Sequence, residues 1–402
     1  MSKKYRIFAL FLILIMLAGC GGSAPAPTPA PAPGGDTPEG SAAVEEVVIG
    51  VLAPLTGPAA QFGVAVYNGI HLFINDFNAR GGLQIRTIVY DEEGVATNAI
   101  IGYHSLVDQG ITALIGSVTS TPTLAVVPEA EQDNMPMITA TATHAAVTYD
   151  AERGHVFRNM FRSCFIDPFQ GVKMAEFAAE IVGANTAAIL FNNEDDYSIG
   201  LMESFLAKAI ELGIDVVAVE QFGNATVDFL GQLTNIAAAN PDVLFVPAYY
   251  EDIALIGPQS AAAGVDAVFL GADGWDGTLN IIADPSSIEG AFFLTGFTVE
   301  DESPLVQQFI SNFYATYGEQ PNMFAAQAYD AAMILIDAIQ LALADGYLPN
   351  TDEFKSSVIG HMAATNMQAV TGHISFDEFN NPQKTAFIIQ VVDGEARFWG
   401  TF

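Results

Sequence analysis

The chain has 402 residues, enough for two or three domains. Hydrophobic residues make up 51% and charged residues only 15%, which supports large buried cores and excludes global disorder. Against 46 Asp and Glu stand 13 Lys and Arg, a formal net charge of −33. Such a surface repels phosphate backbones and anionic headgroups, which argues against nucleic-acid binding and against a peripheral grip on acidic lipid.

Lys3, Lys4 and Arg6 precede an unbroken apolar run over residues 7–17. That is the charge and length of an export signal, too short to span a bilayer. The run ends in Leu17-Ala18-Gly19-Cys20, which resembles the lipobox of bacterial lipoproteins. The resemblance implies a signal peptide over 1–19 and a diacylglycerol on Cys20. Removing the three cations leaves 10 against 46 acids, a net of −36. No other stretch is expected to approach the ~20 apolar residues of a spanning helix. Cys164, the second of two cysteines, then lacks a partner in the chain and is expected to be a buried, inert thiol. Residues 20–44 are rich in Ala, Pro and Gly. Ala-Pro repeats favour extended polyproline II, so the segment reads as a tether of ~3 Å per residue.

From Glu45 onward, strand-like runs alternate with helix-period segments. A strand over 47–53 leads through Pro54-Leu55-Thr56-Gly57-Pro58 into a helix over 61–79, where Val66, Ile70, Phe73 and Phe77 recur every three or four residues. Gly81-Gly82 ends it. Strands follow at 85–90, 112–115 and 135–139, with helices at 101–108 and 122–131. The second half repeats the pattern with strands at 186–191, 214–219, 242–246 and 267–270, and helices at 200–212, 227–239 and 252–263. Two long helices, 304–317 and 323–344, precede a hairpin-like pair, 372–376 and 385–392, divided by Asn380-Asn381-Pro382. Strand-helix-strand repetition with buried runs predicts an α/β fold of two doubly wound parallel-sheet domains.

Sequence signatures of catalysis are missing: no His-Glu-x-x-His, no Gly-x-x-x-x-Gly-Lys-Ser/Thr and no Gly-x-Ser-x-Gly occurs, and the six histidines are scattered. Neither an enzyme nor a metal or cofactor is expected. The acidic runs Asp91-Glu92-Glu93 and Asn193-Glu194-Asp195-Asp196 read as solvated loops rather than calcium sites. Two loops at strand C-termini are rich in hydroxyls, Ser117-Val118-Thr119-Ser120-Thr121 and Thr139-Ala140-Thr141-Ala142-Thr143-His144. Helix-start amides carry partial positive charge, and ligands of open α/β sheets sit outside the strand C-termini. Two such loops side by side suit a carboxylate.

These residues carry a family resemblance. Ala53-Pro54-Leu55-Thr56-Gly57-Pro58 with Gln61-Phe62-Gly63, Asn68-Gly69, Asp76-Phe77-Asn78-Ala79-Arg80-Gly81-Gly82, Tyr90-Asp91-Glu92, the two hydroxyl loops, and Thr371-Gly372 to Phe376-Asp377 stand in the order found in the solute-binding proteins of branched-chain amino acid ABC transporters. The likeness runs from Val47 to about Trp399 and implies the type I periplasmic binding protein fold. It implies domains at 45–165 plus 297–370 and at 166–296 plus 371–402, joined by a three-segment hinge. It implies an amino acid ligand, ABC permease partners, and an extracytoplasmic protein lipid-anchored to a bacterial membrane. By the same likeness, Ser120 and Thr143 hold the ligand α-carboxylate. The Thr141 carbonyl and the Asp273 carboxylate hold its ammonium, and Tyr249 reaches in from the second domain. Phe62, Val118, Tyr197 and Phe324 form the walls. Thr119 stands where some relatives carry a disulfide cysteine, and Trp275 matches no family position and would narrow or cover the pocket. An apolar L-amino acid fits best. An amide, a small aromatic or carboxylic acid, or a sensory role stays open.

Overall fold

A computed structural model describes residues 45–402; the signal peptide, Cys20 and the tether, residues 1–44, lie outside the described residues. The first half runs β1 (Glu46–Ala53), α1 (Ala60–Ala79), β2 (Gln84–Asp91), α2 (Ala96–Asp108), β3 (Ala113–Gly116), α3 (Ser120–Gln132) and β4 (Met137–Thr139). Two short strands, β5 (Tyr149–Asp150) and β6 (His155–Val156), precede β7 (Met160–Arg162). Then come α4 (Asp167–Phe177), β8 (Thr186–Asn192), α5 (Asp196–Glu211), β9 (Asp215–Phe222), α6 (Leu230–Ala239), β10 (Val243–Phe245), α7 (Tyr250–Ala263), β11 (Val268–Gly271) and β12 (Phe292–Thr295). The chain ends with α8 (Pro304–Tyr317), α9 (Met323–Ala344), α10 (Asp352–Ala363), β13 (Asn366–Ala369), β14 (Gly372–Ser375), β15 (Phe387–Val392) and β16 (Glu395–Thr401).

Two sheets result. The first is all parallel, in the order β2-β1-β3-β4-β7, and the second has the order β16-β15-β12-β11-β10-β8-β9, in which only β15 runs against the others, antiparallel to both β12 and β16. Each sheet with its covering helices forms a lobe. Successive residues of the central strands face opposite cores. Val51, Ile115 and Ile138 join α1 and α9, whereas Leu52, Leu114 and Met137 join Tyr103 and Leu106 of α2 and Val126 and Val127 of α3. In the second lobe Phe245 meets Phe205 of α5, and Leu244 meets Ile253 of α7. Burial on both faces is why these strands read as continuous apolar runs.

The expected hairpin-like pair is not formed. β14 pairs with β13, and β15 pairs with β12 and β16, because the buried face of Ile388 and Val391 extends the second sheet. The helices α4 and α10 and the three-residue strand β7 were not anticipated; short elements carry little periodicity. Also against expectation, α9 has the length and hydropathy of a membrane span, yet 67% of that apolar window is buried. It serves as the central helix of the first lobe. Asp330 at its middle is fully buried and accepts hydrogen bonds from the Val370 and Thr371 backbone N–H groups at 2.8 and 2.9 Å.

α1 can approach α9 so closely because residue 69 is glycine. A Cβ there would lie 2.1 Å from the Ala325 carbonyl oxygen. Alanine would gain about 1 kcal/mol of helix propensity, but a clash with backbone is not relieved by rotating a side chain. Gly69→Ala is therefore expected to lower stability by about 1–3 kcal/mol, read by urea denaturation. An unchanged or higher midpoint would show that the α1–α9 spacing is not fixed by this contact.

Candidate functional site

The two hydroxyl-rich loops lie side by side beyond β3 and β4, and most of their hydroxyls hold the loops together. Thr139 donates to the Ser117 carbonyl at 2.6 Å and Thr141 to the Val118 carbonyl at 2.6 Å. Ser117 donates at 2.6 Å to Glu92, whose other oxygen accepts from the Gly94 and Val95 N–H groups. Glu92 is thus fully buried and structural, not a solvated loop residue. Behind the second loop, buried Arg162 donates to the Ala142 and His144 carbonyls at 3.0 Å each. Cys164 is buried as expected, and burial pushes its thiol up to about 12, too high for a thiolate.

Between the lobes lies a small, nearly closed cavity. Its lining is Phe62, Val118, Thr119, Thr141, Tyr197, Tyr249, Asp273, Gly274 and Phe324. Eight of these are the sequence-derived candidates, drawn from α1, α9 and both loops on one side and from α5, the start of α7 and the turn after β11 on the other. Aromatic faces bound it: Phe62 stacks on Phe324 at 4.2 Å and meets Tyr249 edge-on at 5.6 Å, and Tyr197 stacks on Tyr249 at 4.7 Å. Ser120 and Thr143 are buried but do not line the cavity. The Ser120 hydroxyl accepts from the His144 N–H at 3.2 Å, and the Tyr249 hydroxyl lies at the Ser120 backbone N–H, the start of α3. Trp275 neither narrows nor covers the cavity. It packs into the second lobe's outer core and donates from Nε1 to the Val246 carbonyl at 2.8 Å.

Asp273 is the cavity's acid. Its Oδ1 accepts from Tyr197 Oη at 2.8 Å and from Gln170 Nε2 at 3.0 Å. Gln170 turns back to accept the Asp273 N–H at 3.0 Å, and the Gly274 N–H donates to Tyr197 at 2.8 Å. With Oδ1 filled, Oδ2 is the oxygen available to a ligand. Burial pushes this carboxyl up to about 6 despite those donors. Gln170 escaped the sequence reading. It sits one turn into α4, and nothing local separates it from a core glutamine.

The lobes touch around the cavity. Tyr250 donates to the Pro58 carbonyl at 2.6 Å, and Thr121 donates to Asp196 at 2.9 Å and Asp195 at 3.2 Å. Asp195 is buried at the start of α5, accepting the Ser198 N–H, rather than solvated. Outside the cavity opens a wider chamber that shares Thr119 and Tyr249 with it. Glu93, Glu194, Asp195, Glu251 and Asp252 line this mouth, with no Lys or Arg. Burial raises Asp195 to about 6 and Asp252 to about 7.

The profile of the periplasmic binding protein family matches residues 46–396. The chain belongs to that family. A leucine-, isoleucine-, valine-, threonine- and alanine-binding protein of Pseudomonas aeruginosa is 25% identical over 341 residues, 84% of this chain and 87% of that protein. Among solved structures, a leucine-binding protein of Thermotoga maritima has a TM-score of 0.80 at 31% identity, covering 89% of this chain and 98% of that one. The branched-chain amino acid transporter substrate-binding protein of Streptococcus pneumoniae, in complex with isoleucine, has a TM-score of 0.80 at 27% identity, covering 89% and 99%. The fold is that of type I periplasmic binding proteins, an extracytoplasmic, solute-binding kind of protein. In this periplasmic binding protein the cleft between the two large sheets, at the C-termini of their parallel strands, is the candidate ligand site.

Asp273 gives a pH test of the geometry. Its folded value of about 6 lies above the ordinary 3.8, so the native state keeps a proton that the unfolded chain releases. Stability is fully present below the unfolded value and is lost as pH rises through about 4 to 6, on the order of 3 kcal/mol for this group. Asp273→Asn removes the loss. Its ligand-free stability relative to wild type is expected to rise between pH 4 and pH 7 in urea denaturation. A difference independent of pH would mean that Asp273 is solvated.

Proposed function

We propose that the protein captures a branched-chain or other apolar L-amino acid in the interlobe cavity and delivers it to the permease subunits of an ABC transporter. The observation that carries this reading is Asp273: a buried carboxyl with one oxygen free, walled by Phe62, Tyr197, Tyr249 and Phe324. A zwitterion buried here needs both charges met. Asp273 suits the ammonium together with the Thr141 carbonyl, and the helix-start amides and hydroxyls at Ser120 and Thr143 suit the carboxylate. The aromatic walls leave an apolar side chain. The names of the relatives, leucine-binding and branched-chain amino acid-binding, point the same way.

The two lobes are proposed to close as bodies of residues 45–165 plus 297–370 and 166–296 plus 371–402, hinging near 165, 296 and 370. Cys20 is proposed to carry the lipid that anchors the protein. A Cys20→Ala chain is expected to leave the detergent phase after signal cleavage.

Thermal-shift screening against the twenty amino acids, amides and small carboxylates should find a branched-chain L-amino acid among the strongest stabilisers. Calorimetric titration with L-leucine should then lose about two to four decades of affinity in Asp273→Ala, from the 3–5 kcal/mol cost of leaving a buried ammonium unpaired. Ser120→Ala should lose less, about 1.5–3 kcal/mol, since backbone amides remain. Binding of Asp273→Ala within about threefold of wild type, or equal affinity for a des-amino analogue, would turn the reading to an ammonium-free acid or amide.

A further inference from the structure

One member of this ligand set, Thr143, and one buried acid outside it, Asp167, lack side-chain partners among the described residues. The Thr143 hydroxyl and both carboxyl oxygens of Asp167 are shut off from solvent, and none of the three makes a hydrogen bond of normal geometry among the described residues. They face each other. Their backbones are already joined, with the Asp167 N–H donating to the Thr143 carbonyl at 2.9 Å. Thr143 belongs to the first lobe, in the loop after β4. Asp167 opens α4, just past the point where the chain first crosses to the second lobe. The arrangement is tightly packed. A Cβ on Gly200 of α5 would lie 3.0 Å from Asp167 Oδ2 and 3.0 Å from His144 Cδ2, so glycine is what lets α5 close over the pair. Unpartnered buried carboxyls are rare and costly, and this one lies one helical turn from Gln170, which grips Asp273.

We propose that Asp167 is a positioning residue of the ligand site, its carboxyl engaging the Thr143 hydroxyl across the lobe boundary and fixing the direction in which that hydroxyl points. The proposal rests on the amino acid reading above, in which Thr143 serves the ligand carboxylate.

The surroundings decide the charge of Asp167. The acids within electrostatic range are Asp273, from the turn after β11, and Asp195, from the loop before α5. The Cys164 thiol and the Tyr197 and Tyr249 phenols lie within that range as well. His144, held neutral by burial, packs against the same glycine and is itself faced by Asp196 and Glu203 of α5. Arg162 of β7 is the cation in range, but its guanidinium is engaged with the Ala142 and His144 carbonyls and the Thr148 hydroxyl. Burial therefore wins, and the Asp167 carboxyl is held well above the ordinary carboxylate range. A protonated carboxyl donates to Thr143 Oγ1. Thr143 Oγ1 then keeps its own proton for the ligand carboxylate. An ionised Asp167 would do the reverse, taking the Thr143 proton and repelling the ligand carboxylate at close range. Where the cleft opens in the absence of ligand and water reaches an ionised Asp167, capture of an amino acid near neutral pH draws a proton to this position.

Calorimetric titration with L-leucine in two buffers of different ionisation heat measures the proton taken up on binding, for wild type, Asp167→Asn and Asp167→Leu. The Asn amide can donate as the protonated carboxyl does. Asp167→Asn is expected within about threefold of wild type, with less proton uptake and a flatter affinity profile between pH 6 and pH 8.5. Asp167→Leu is expected to bind at least about tenfold more weakly, the scale of one hydrogen bond to a charged group. Leucine affinity within about threefold of wild type in Asp167→Leu, or proton uptake unchanged in Asp167→Asn, overturns the proposal. Should wild type bind neither leucine nor any amino acid of the screen, the functional reading fails, and ligand-free protein still decides this one. In a double-mutant cycle of Asp167→Asn with Thr143→Val, followed by thermal denaturation at pH 5 and pH 8, the two changes are expected to couple, with a coupling that differs between the two pH values. Strictly additive effects would overturn it.

Discussion

Oδ1 of Asp273 takes a phenol proton from Tyr197 and an amide proton from Gln170, and no cation shares in holding its charge. A carboxyl so placed is expensive when ionised, because the interior lacks the water that would solvate it. Both partners are themselves fixed by the backbone next to Asp273, at residues 273 and 274. The donors come from α4 and α5 and the acid from the turn after β11, so the second lobe must be assembled before the acid is aimed. On the proposed reading, the first lobe supplies what Asp273 lacks, the loop amides and hydroxyls around Ser120 and Thr143 for the opposite charge of a zwitterion. Neither half of the cleft satisfies a zwitterion alone.

The joint between the halves is equally concentrated. Ser163, at the first crossing, donates to the Gln327 carbonyl of α9 at 2.8 Å. Gly296, at the second, has its absent Cβ 2.8 Å from the Gln327 amide nitrogen. Val370 and Thr371, at the third, donate to Asp330. Gln327 and Asp330 are three residues apart on one helix, so one face of α9 touches all three crossings. Phe324, one turn earlier on the same helix, forms the cavity wall. In the proposed closure, rotation about this joint and contact with the ligand would both be registered on a single helix, α9.

Much of this is legible in the sequence, and the exceptions have physical causes. Long amphipathic helices such as α8 and α9 read to the residue because their apolar spacing runs for four turns or more and because Pro304 and Gly318 mark the ends of α8. The cavity walls Phe62, Tyr197, Tyr249 and Phe324 could be named because each lies in a segment resembling a known family. Hydroxyl density was a less faithful guide. Thr139, Thr141 and Ser117 stand in the expected loops but lace them together, a use of the hydroxyl that sequence does not distinguish from ligand contact. Glu92 and Asp195 looked solvated because acidic runs usually are; their burial depends on backbone N–H groups folding around them. Gln170 and Asp167 acquire meaning only from partners about a hundred and about twenty residues away, which no local pattern encodes.

The acidic mouth of the cleft has a kinetic consequence. Five carboxyl groups ring the entrance, two of them, Asp195 and Asp252, raised by burial, and the protein as a whole carries a formal −33. Fields from exposed charges persist for about 8–10 Å at physiological ionic strength, and clefts with low-dielectric walls focus them. A free anion of the same size as an amino acid meets an uphill approach before any contact is made. A zwitterion meets a torque instead, which turns its positive end inward along the path to Asp273. On the proposed amino acid reading, discrimination against simple carboxylates would begin in the encounter rate, and added salt, by shortening the reach of that field, would erode this part of the selectivity while leaving the contacts inside the cavity unchanged.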